Sequence, residues 1–288
     1  MTQSYSPLIT PAELAARLDD PDLVVFDCRH SLGDPEAGVR AFAQGHIPGA
    51  LFAHLDRDLS SPVGPGTGRH PLPDWETFTG WLGSRGVEPS TAVVAYDEMD
   101  NHFASRLWWL LRALGHERVS VLDGGYFRWR AEGRPKSAEA APPRPAVYRG
   151  SLRKEWLVEL DEVQSRLEEP GFRLIDARVE PRFEGREEPL DPVAGHIPGA
   201  VNLPFTGNLN DDDEFLPPDE LRARIMEALG GTPPGEAVHY CGSGVTACHN
   251  LLAQEIAGLP PGRLYAGSWS QWCSDPARPM NRGAGSRG

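Results

Sequence analysis

The sequence predicts an α/β protein made of two tandem copies of one domain, each a parallel sheet flanked by helices. Three observations carry that prediction. The hexapeptide GHIPGA stands at residues 45–50 and again, unchanged, at 195–200. Other pieces recur around it in the same order: LVVFDCR (23–29) answers RLIDAR (173–178), VVAYD (93–97) answers AVHYC (237–241), and LDGGYFRW (122–129) answers YAGSWSQW (265–272). Within each copy, short runs rich in valine and isoleucine alternate with helical patterns, as expected of parallel strands joined by right-handed crossovers.

The elements follow in chain order. Thr10-Pro11-Ala12-Glu13 reads as N-cap, proline at the first helical position and the acidic end of a capping box. The helix it opens leads into a strand around Val24–Asp27. The offset between the copies shrinks slowly along the chain, which implies one duplicated domain with small insertions rather than a short-period solenoid. GRPKSAEAAPPRPAVYRGS (133–151) is rich in proline, alanine and charge without apolar period, and reads as an extended linker. The division expected is therefore a first domain over 1–134, a linker over 135–151 and a second domain over 152–288. After Cys241, small or apolar residues at Val245, Cys248, Leu251, Leu252 and Ile256 fall at helical spacing. Cys241 thus ends a strand and precedes a helix, where α/β sheets bind ligands.

Composition narrows the function. The 288 residues carry 41 acidic and 28 basic side chains, a formal net charge of −13, with no block of Lys or Arg. That balance lacks the footprint of a nucleic-acid or anionic-membrane binder, so a small anionic substrate needs a local arginine cluster. The start, MTQSYSPLITPAELAARL, has neither the basic beginning nor the unbroken apolar core of a signal peptide, and no apolar stretch reaches spanning length. A cytoplasmic protein is expected. Cys28, Cys241, Cys248 and Cys273 form no CxxC pair and no zinc-type spacing, which argues against a disulfide framework or a metal site.

A cysteine in a reducing compartment is most often a small buried hydrophobe. The surroundings of Cys241 argue otherwise. A loop of Gly242, Ser243 and Gly244 lets backbone N–H groups turn toward the sulfur, and the helix beginning near Val245 directs its positive end at the same point. Both favour thiolate, the nucleophilic form, and both would hold an extra anionic sulfur on it. In the first copy the same place holds Asp97, a carboxylate that cannot do sulfur chemistry, so one active site per chain is expected.

At this point the residues resemble the two-domain sulfurtransferases of the rhodanese superfamily over almost the whole chain. The duplicated GHIPGA, the DAR strand end at Asp176–Arg178, the Cys241 loop and the closing LDGGYFRW and GSWSQW segments carry the likeness. The resemblance implies two similar domains with only the second catalytic, and a persulfide on Cys241 between half-reactions. CGSGVTA is similar to the loop of 3-mercaptopyruvate sulfurtransferases, whereas thiosulfate users commonly have Arg-Lys after the cysteine. It implies a Ser243, His70 and Asp56 set, the latter two from the first domain, and hence a site in the cleft between domains. It implies that Gly242, Gly244, Val245 and Thr246 line the donor site and that Arg182 in EPRFEGREEP clamps the donor carboxylate, an arginine task because the guanidinium offers two parallel donors. Mercaptopyruvate members have a second arginine where Pro189 stands here. Arg186 is the candidate substitute, and the alternative is a thiosulfate donor.

The function expected is transfer of sulfane sulfur from 3-mercaptopyruvate through Cys241 to cyanide or to a thiol, such as that of a thioredoxin-like protein, without metal or organic cofactor. Two alternatives stand beside it, a thiosulfate sulfurtransferase and a non-catalytic persulfide-binding module. A cysteine phosphatase would need an arginine six places past the cysteine, where this chain has Ala247. Asp27, Asp176 and Arg178 are expected to be structural, His46 and His196 to fix turns by hydrogen bonds, and Trp129 and Trp272 to lie in a core or a cleft wall.

Overall fold

The computed structural model describes residues 5–142, 144–169 and 171–284. The first four residues, part of the stretch read for a signal peptide, and Pro143 of the expected linker lie outside them. The chain separates into two compact units, one of Met1–Ser61, Leu72–Arg153 and Asp211–Glu214, the other of Pro62–Pro71, Lys154–Asn210 and Phe215–Gly288. This differs from a single break at residues 135–151. The expected linker is extended, but it runs along the first unit, where Ala146 N–H bonds to Gly83 O and Ser151 N–H to Leu114 O. Two short stretches, 62–71 and 211–214, sort with the unit opposite to their place in the sequence.

The first unit holds β1 (Leu8–Ile9), α1 (Pro11–Ala15), β2 (Leu23–Asp27), α2 (Ala37–Gln44), β3 (Leu51–Phe52), α3 (Trp75–Ser84), β4 (Ala92–Tyr96), α4 (His102–Ala113), β5 (Val119–Leu122) and α5 (Gly125–Ala131). Its strands are parallel in the order β1-β5-β4-β2-β3. The capping box at Thr10 and Glu13 is formed, which starts α1 where the sequence places it. The second unit repeats the plan with α6 (Leu160–Arg166), β6 (Leu174–Asp176), α7 (Glu180–Phe183), β7 (Val201–Asn202), α8 (Pro218–Leu229), β8 (Val238–Tyr240), α9 (Thr246–Ile256), β9 (Arg263–Leu264) and α10 (Ser268–Trp272). Its parallel order is β7-β6-β8-β9, the order β3-β2-β4-β5 of the first unit.

The sequence repeats become repeated contacts. Arg29 and Arg178 each make a two-pronged ion pair with the aspartate two residues earlier, Asp27 and Asp176, and each reaches a carbonyl, Gly45 O or Gly195 O, at 2.7 Å. Tyr96 and Tyr240 accept a hydrogen bond at 3.2 Å from the N–H of the isoleucine in GHIPGA, Ile47 or Ile197. His46 and His196 hold their turns through Nδ1, at 2.8 Å from Phe42 O and Phe183 O. These aspartates are fully buried, and the guanidinium and backbone N–H groups take the place of water around their carboxylates. Trp129 and Trp272 are buried in the two cores, each donating its indole N–H to a proline carbonyl.

Candidate active site

The site grows out of β8. Val238, His239 and Tyr240 are buried on both faces of the sheet, so the strand is pinned and its last residue delivers Cys241 to the carboxyl end. The chain then turns through Gly242, Ser243 and Gly244 into α9. Gly244 has φ near +77°, and a side chain there would meet Ala266 O at 2.6 Å, so the turn requires glycine. A second layer fixes the loop from behind: Trp269 N–H donates to Cys241 O and Ser270 N–H to Gly242 O, both at 2.9 Å, while Cys241 N–H donates to Ser268 Oγ at 3.1 Å.

Around the sulfur the expected cradle is present. Cys241 Sγ accepts from Gly244 N–H at 3.1 Å and from Ser243 N–H at 3.4 Å. Val245 stands at the entrance to α9, and the Thr246 hydroxyl on its first turn also bonds the sulfur. Burial pushes the thiol up, but the Thr246 hydroxyl and the backbone N–H groups of Ser243 and Ala247 outweigh it, leaving Cys241 below the usual cysteine range. Cys28 is instead pushed well up by burial and by the charges of Asp27, Asp97 and Asp58. All four cysteines are buried, and none is joined in a disulfide among the described residues. Cys248 donates its S–H to Gly244 O at 3.3 Å and so helps hold the loop.

Ser243 Oγ and His70 Nδ1 are 2.7 Å apart and buried, a pair the sequence separates by 173 residues. His70 comes on the segment Pro62–Pro71 that sorts with the second unit. Asp56 belongs to the first unit, where its N–H bonds to His54 Nδ1 and its carboxylate lies 3.9 Å from His30 Nε2.

Arg182 reaches the loop: its terminal nitrogens lie 3.4 and 3.5 Å from the point where a side chain on Gly242 would begin. Glu188 and Asp191, both nearly sealed from solvent, hold its guanidinium at 2.6 and 3.1 Å. Arg186 does not join it. The chain leaves α7 through Gly185 at φ near +73°, and the Arg186 guanidinium, 56% exposed, pairs with Glu184 and with Glu180 at 3.1 Å. The sequence did not single out Arg69. Its terminal nitrogen lies 2.8 Å from the same point above Gly242, and it pairs with Asp191. A lone arginine beside a loop histidine carries no sequence signal, because only the folded segment shows what it faces.

The model of the rhodanese-like domain matches residues 10–132 and 159–275. A protein of Pseudomonas aeruginosa named a probable 3-mercaptopyruvate sulfurtransferase is 50% identical, over 97% of this chain and 99% of that one. The thiosulfate sulfurtransferase of Bos taurus is 36% identical over 88% of this chain and 85% of its own. Among solved structures, the 3-mercaptopyruvate sulfurtransferase from Leishmania major superposes with a TM-score of 0.83 at 31% identity, covering 95% of this chain and 75% of that one. The chain belongs to the rhodanese-like family, as a two-domain sulfurtransferase. Among the described residues no helix is long and apolar enough to cross a membrane.

Proposed function

We propose that the enzyme takes sulfur from 3-mercaptopyruvate, carries it as a Cys241 persulfide and gives it to a small thiol, a thioredoxin-like protein or cyanide in the cytoplasm. The Cys241 thiolate attacks the donor sulfur, and the electrons of the broken carbon–sulfur bond pass to the carbon fragment as the enolate of pyruvate. A proton delivered through Ser243 and His70 completes pyruvate. The acceptor thiolate, or cyanide, then attacks the outer sulfur and returns Cys241 as thiolate. Asp56 belongs to this proposal as the resemblance assigns it.

The observation that carries the choice of donor is the Ser243–His70 hydrogen bond beside the nucleophile. A carbon leaving group needs a proton, and a hydroxyl coupled to imidazole supplies one near neutral pH. Thiosulfate releases sulfite, a stable anion that needs none. The loop donors Ser243, Gly244 and Thr246 then serve the thiolate and the persulfide alike, and the mechanism calls on no metal or organic cofactor.

Intact mass after exposure to each donor tests the reading. Wild type should gain one sulfur atom from 3-mercaptopyruvate with release of pyruvate, and Cys241→Ser should gain none. A gain from thiosulfate alone would overturn the choice of donor.

A further inference from the structure

We propose that the first unit, where Asp97 replaces the nucleophile, binds a tetrahedral oxyanion over Arg29 and Arg130: free phosphate or sulfate, or the phosphoryl group of a larger molecule. This goes beyond the sulfur transfer above and uses none of its residues. A cavity of about 300 Å³ in that unit is lined by Arg29, Gln44, Glu98, Tyr126, Arg130 and Lys136. Arg29 is its buried member, fixed by Asp27 and Gly45 O, with a further terminal nitrogen 3.5 Å from Glu98. The guanidiniums of Arg29 and Arg130 both stand over the Tyr126 ring, 4.3 and 5.1 Å from its centre. The Tyr126 hydroxyl and Lys136 Cδ come together beside Gly45, 3.4 and 3.7 Å from the point where a side chain there would begin. Among the described residues that hydroxyl has no hydrogen-bond partner, and Lys136 pairs with no carboxylate.

The lining offers many donors and few acceptors. Arg130, Lys136, the Gln44 amide and the Tyr126 hydroxyl can all donate. Burial pushes that hydroxyl up against the pull of Arg29 and Arg130, so it keeps its proton. Helix α2 ends here, but the carbonyls of Ala41, Phe42 and Gly45 are already engaged by Gly45 N–H, His46 and Arg29. One carboxylate stands in the cavity, that of Glu98, which is 44% exposed and pairs with both Arg130 and Arg29. An oxyanion with more oxygens to share can take its place, bonding Arg130 and Lys136 together while Glu98 turns out to water. The second unit shows that the repeated fold alone does not make this cavity. At the matching places it has Arg178, Trp269 and Cys273 for Arg29, Tyr126 and Arg130, and the nearly sealed Glu188 closes on Arg178 at 3.4 Å. Trp269 spends its N–H on Val193 O, whereas Tyr126 keeps an uncommitted hydroxyl. The first unit thus has an open ion pair and an extra guanidinium where the second has a sealed one.

The test is a titration of the full-length enzyme with inorganic phosphate, read from backbone amide NMR shifts. Gly45, Tyr126 and Arg130 report on this cavity, whereas Gly242 and Ser243 report on the sulfur-transfer site. Shifts at the first three should saturate. Arg130→Met should weaken that binding by roughly 10- to 100-fold, as expected for loss of a charged hydrogen bond. Lys136→Met should weaken it by roughly 3- to 10-fold, because an exposed charge is screened. Glu98→Gln should strengthen it by roughly 3- to 10-fold, because it removes the competing carboxylate. Sulfur loading of Cys241 should stay within about twofold of wild type in all three variants, since none of these residues takes part in it. Repeating the titration with AMP separates the sources: tighter binding than phosphate marks the phosphoryl group of a larger molecule, and equal or weaker binding a free anion. Shifts confined to Gly242 and Ser243 overturn the site, as does binding at Gly45 that Arg130→Met and Glu98→Gln leave unchanged.

Discussion

Asp97 and Cys241 hold the same place in the two units, at the carboxyl ends of β4 and β8, and both are ringed by inward N–H groups. Asp97 accepts from Asn101 N–H at 2.9 Å through one oxygen and from Phe103 and Ala104 N–H at 2.8 and 3.1 Å through the other. Cys241 accepts from Ser243 and Gly244 N–H at 3.4 and 3.1 Å. The loops are equally long, with the following helix opening at His102 in one and at Thr246 in the other. Even the supports recur: Tyr126 N–H donates to Asp97 O as Trp269 N–H does to Cys241 O. The cradle is therefore a property of the repeated fold, and the residue placed in it decides the chemistry. In the first unit the chain supplies its own fixed carboxylate. In the second the anion is a thiolate that forms by losing a proton and can carry a second sulfur.

The largest effect should come from making the second cradle like the first. Cys241→Asp keeps an anion among the same N–H donors but removes the nucleophile, so sulfur transfer should fall by at least roughly 10⁴-fold. The thermal midpoint should stay within a few degrees of wild type. A variant that unfolds would show that the two cradles are not interchangeable, and one that still loads sulfur would remove Cys241 from the mechanism.

The next effect concerns the first cradle alone. Burial, with the charge of Asp100 behind it, pushes Asp97 up to about 6, against the pull of His102 and the Ala104 and Phe103 N–H groups. A carboxyl whose folded pKa lies above its unfolded value favours folding most below the unfolded value and loses that contribution as pH rises through the folded one. Wild type should therefore lose stability between about pH 4 and 6 relative to Asp97→Asn, whose amide does not titrate, by up to about 3 kcal/mol. Urea unfolding of both proteins across that range measures the difference, and parallel curves would mean that Asp97 is no ionisable group in this window. Turnover should be the same in both.

How much of this the sequence discloses depends on the distance along the chain over which a residue acts. The duplication, the strand ending at Cys241 and the glycine turn after it are local, since a few adjacent residues dictate each. The Asp–Arg strand ends are legible because they occur in both copies, and a residue kept where the cysteine is absent reads as structural. The Ser243–His70 pair spans 173 residues and is accessible only through resemblance to a known family. Arg186 misleads because it lies on the same loop as Pro189, where a substitute would be sought, whereas the chain leaves α7 through Gly185 and pairs Arg186 with Glu180 and Glu184. Arg69 stays hidden because the segment carrying it sorts with the second unit rather than with its neighbours in sequence.

The smallest effect separates what the backbone provides from what one side chain adds. At the first turn of α9 the Thr246 hydroxyl bonds Cys241, whereas the same position in α4 is His102, which acts on Asp97 through charge. Both cradles are built from backbone amides, at different offsets along the loop, and this position adds a side chain to each. A hydrogen bond from a neutral donor to an anion contributes about 1.5–3 kcal/mol, which corresponds to about one to two pKa units. Thr246→Val keeps the shape and removes the donor, so the Cys241 thiol should titrate higher, read from the pH dependence of iodoacetamide alkylation. The pH at which sulfur loading reaches half its maximum should rise with it, because only the thiolate attacks. An unchanged titration would assign the whole effect to the amides of Ser243, Gly244 and Ala247, so that the second cradle, like the first, would hold its anion through backbone N–H groups.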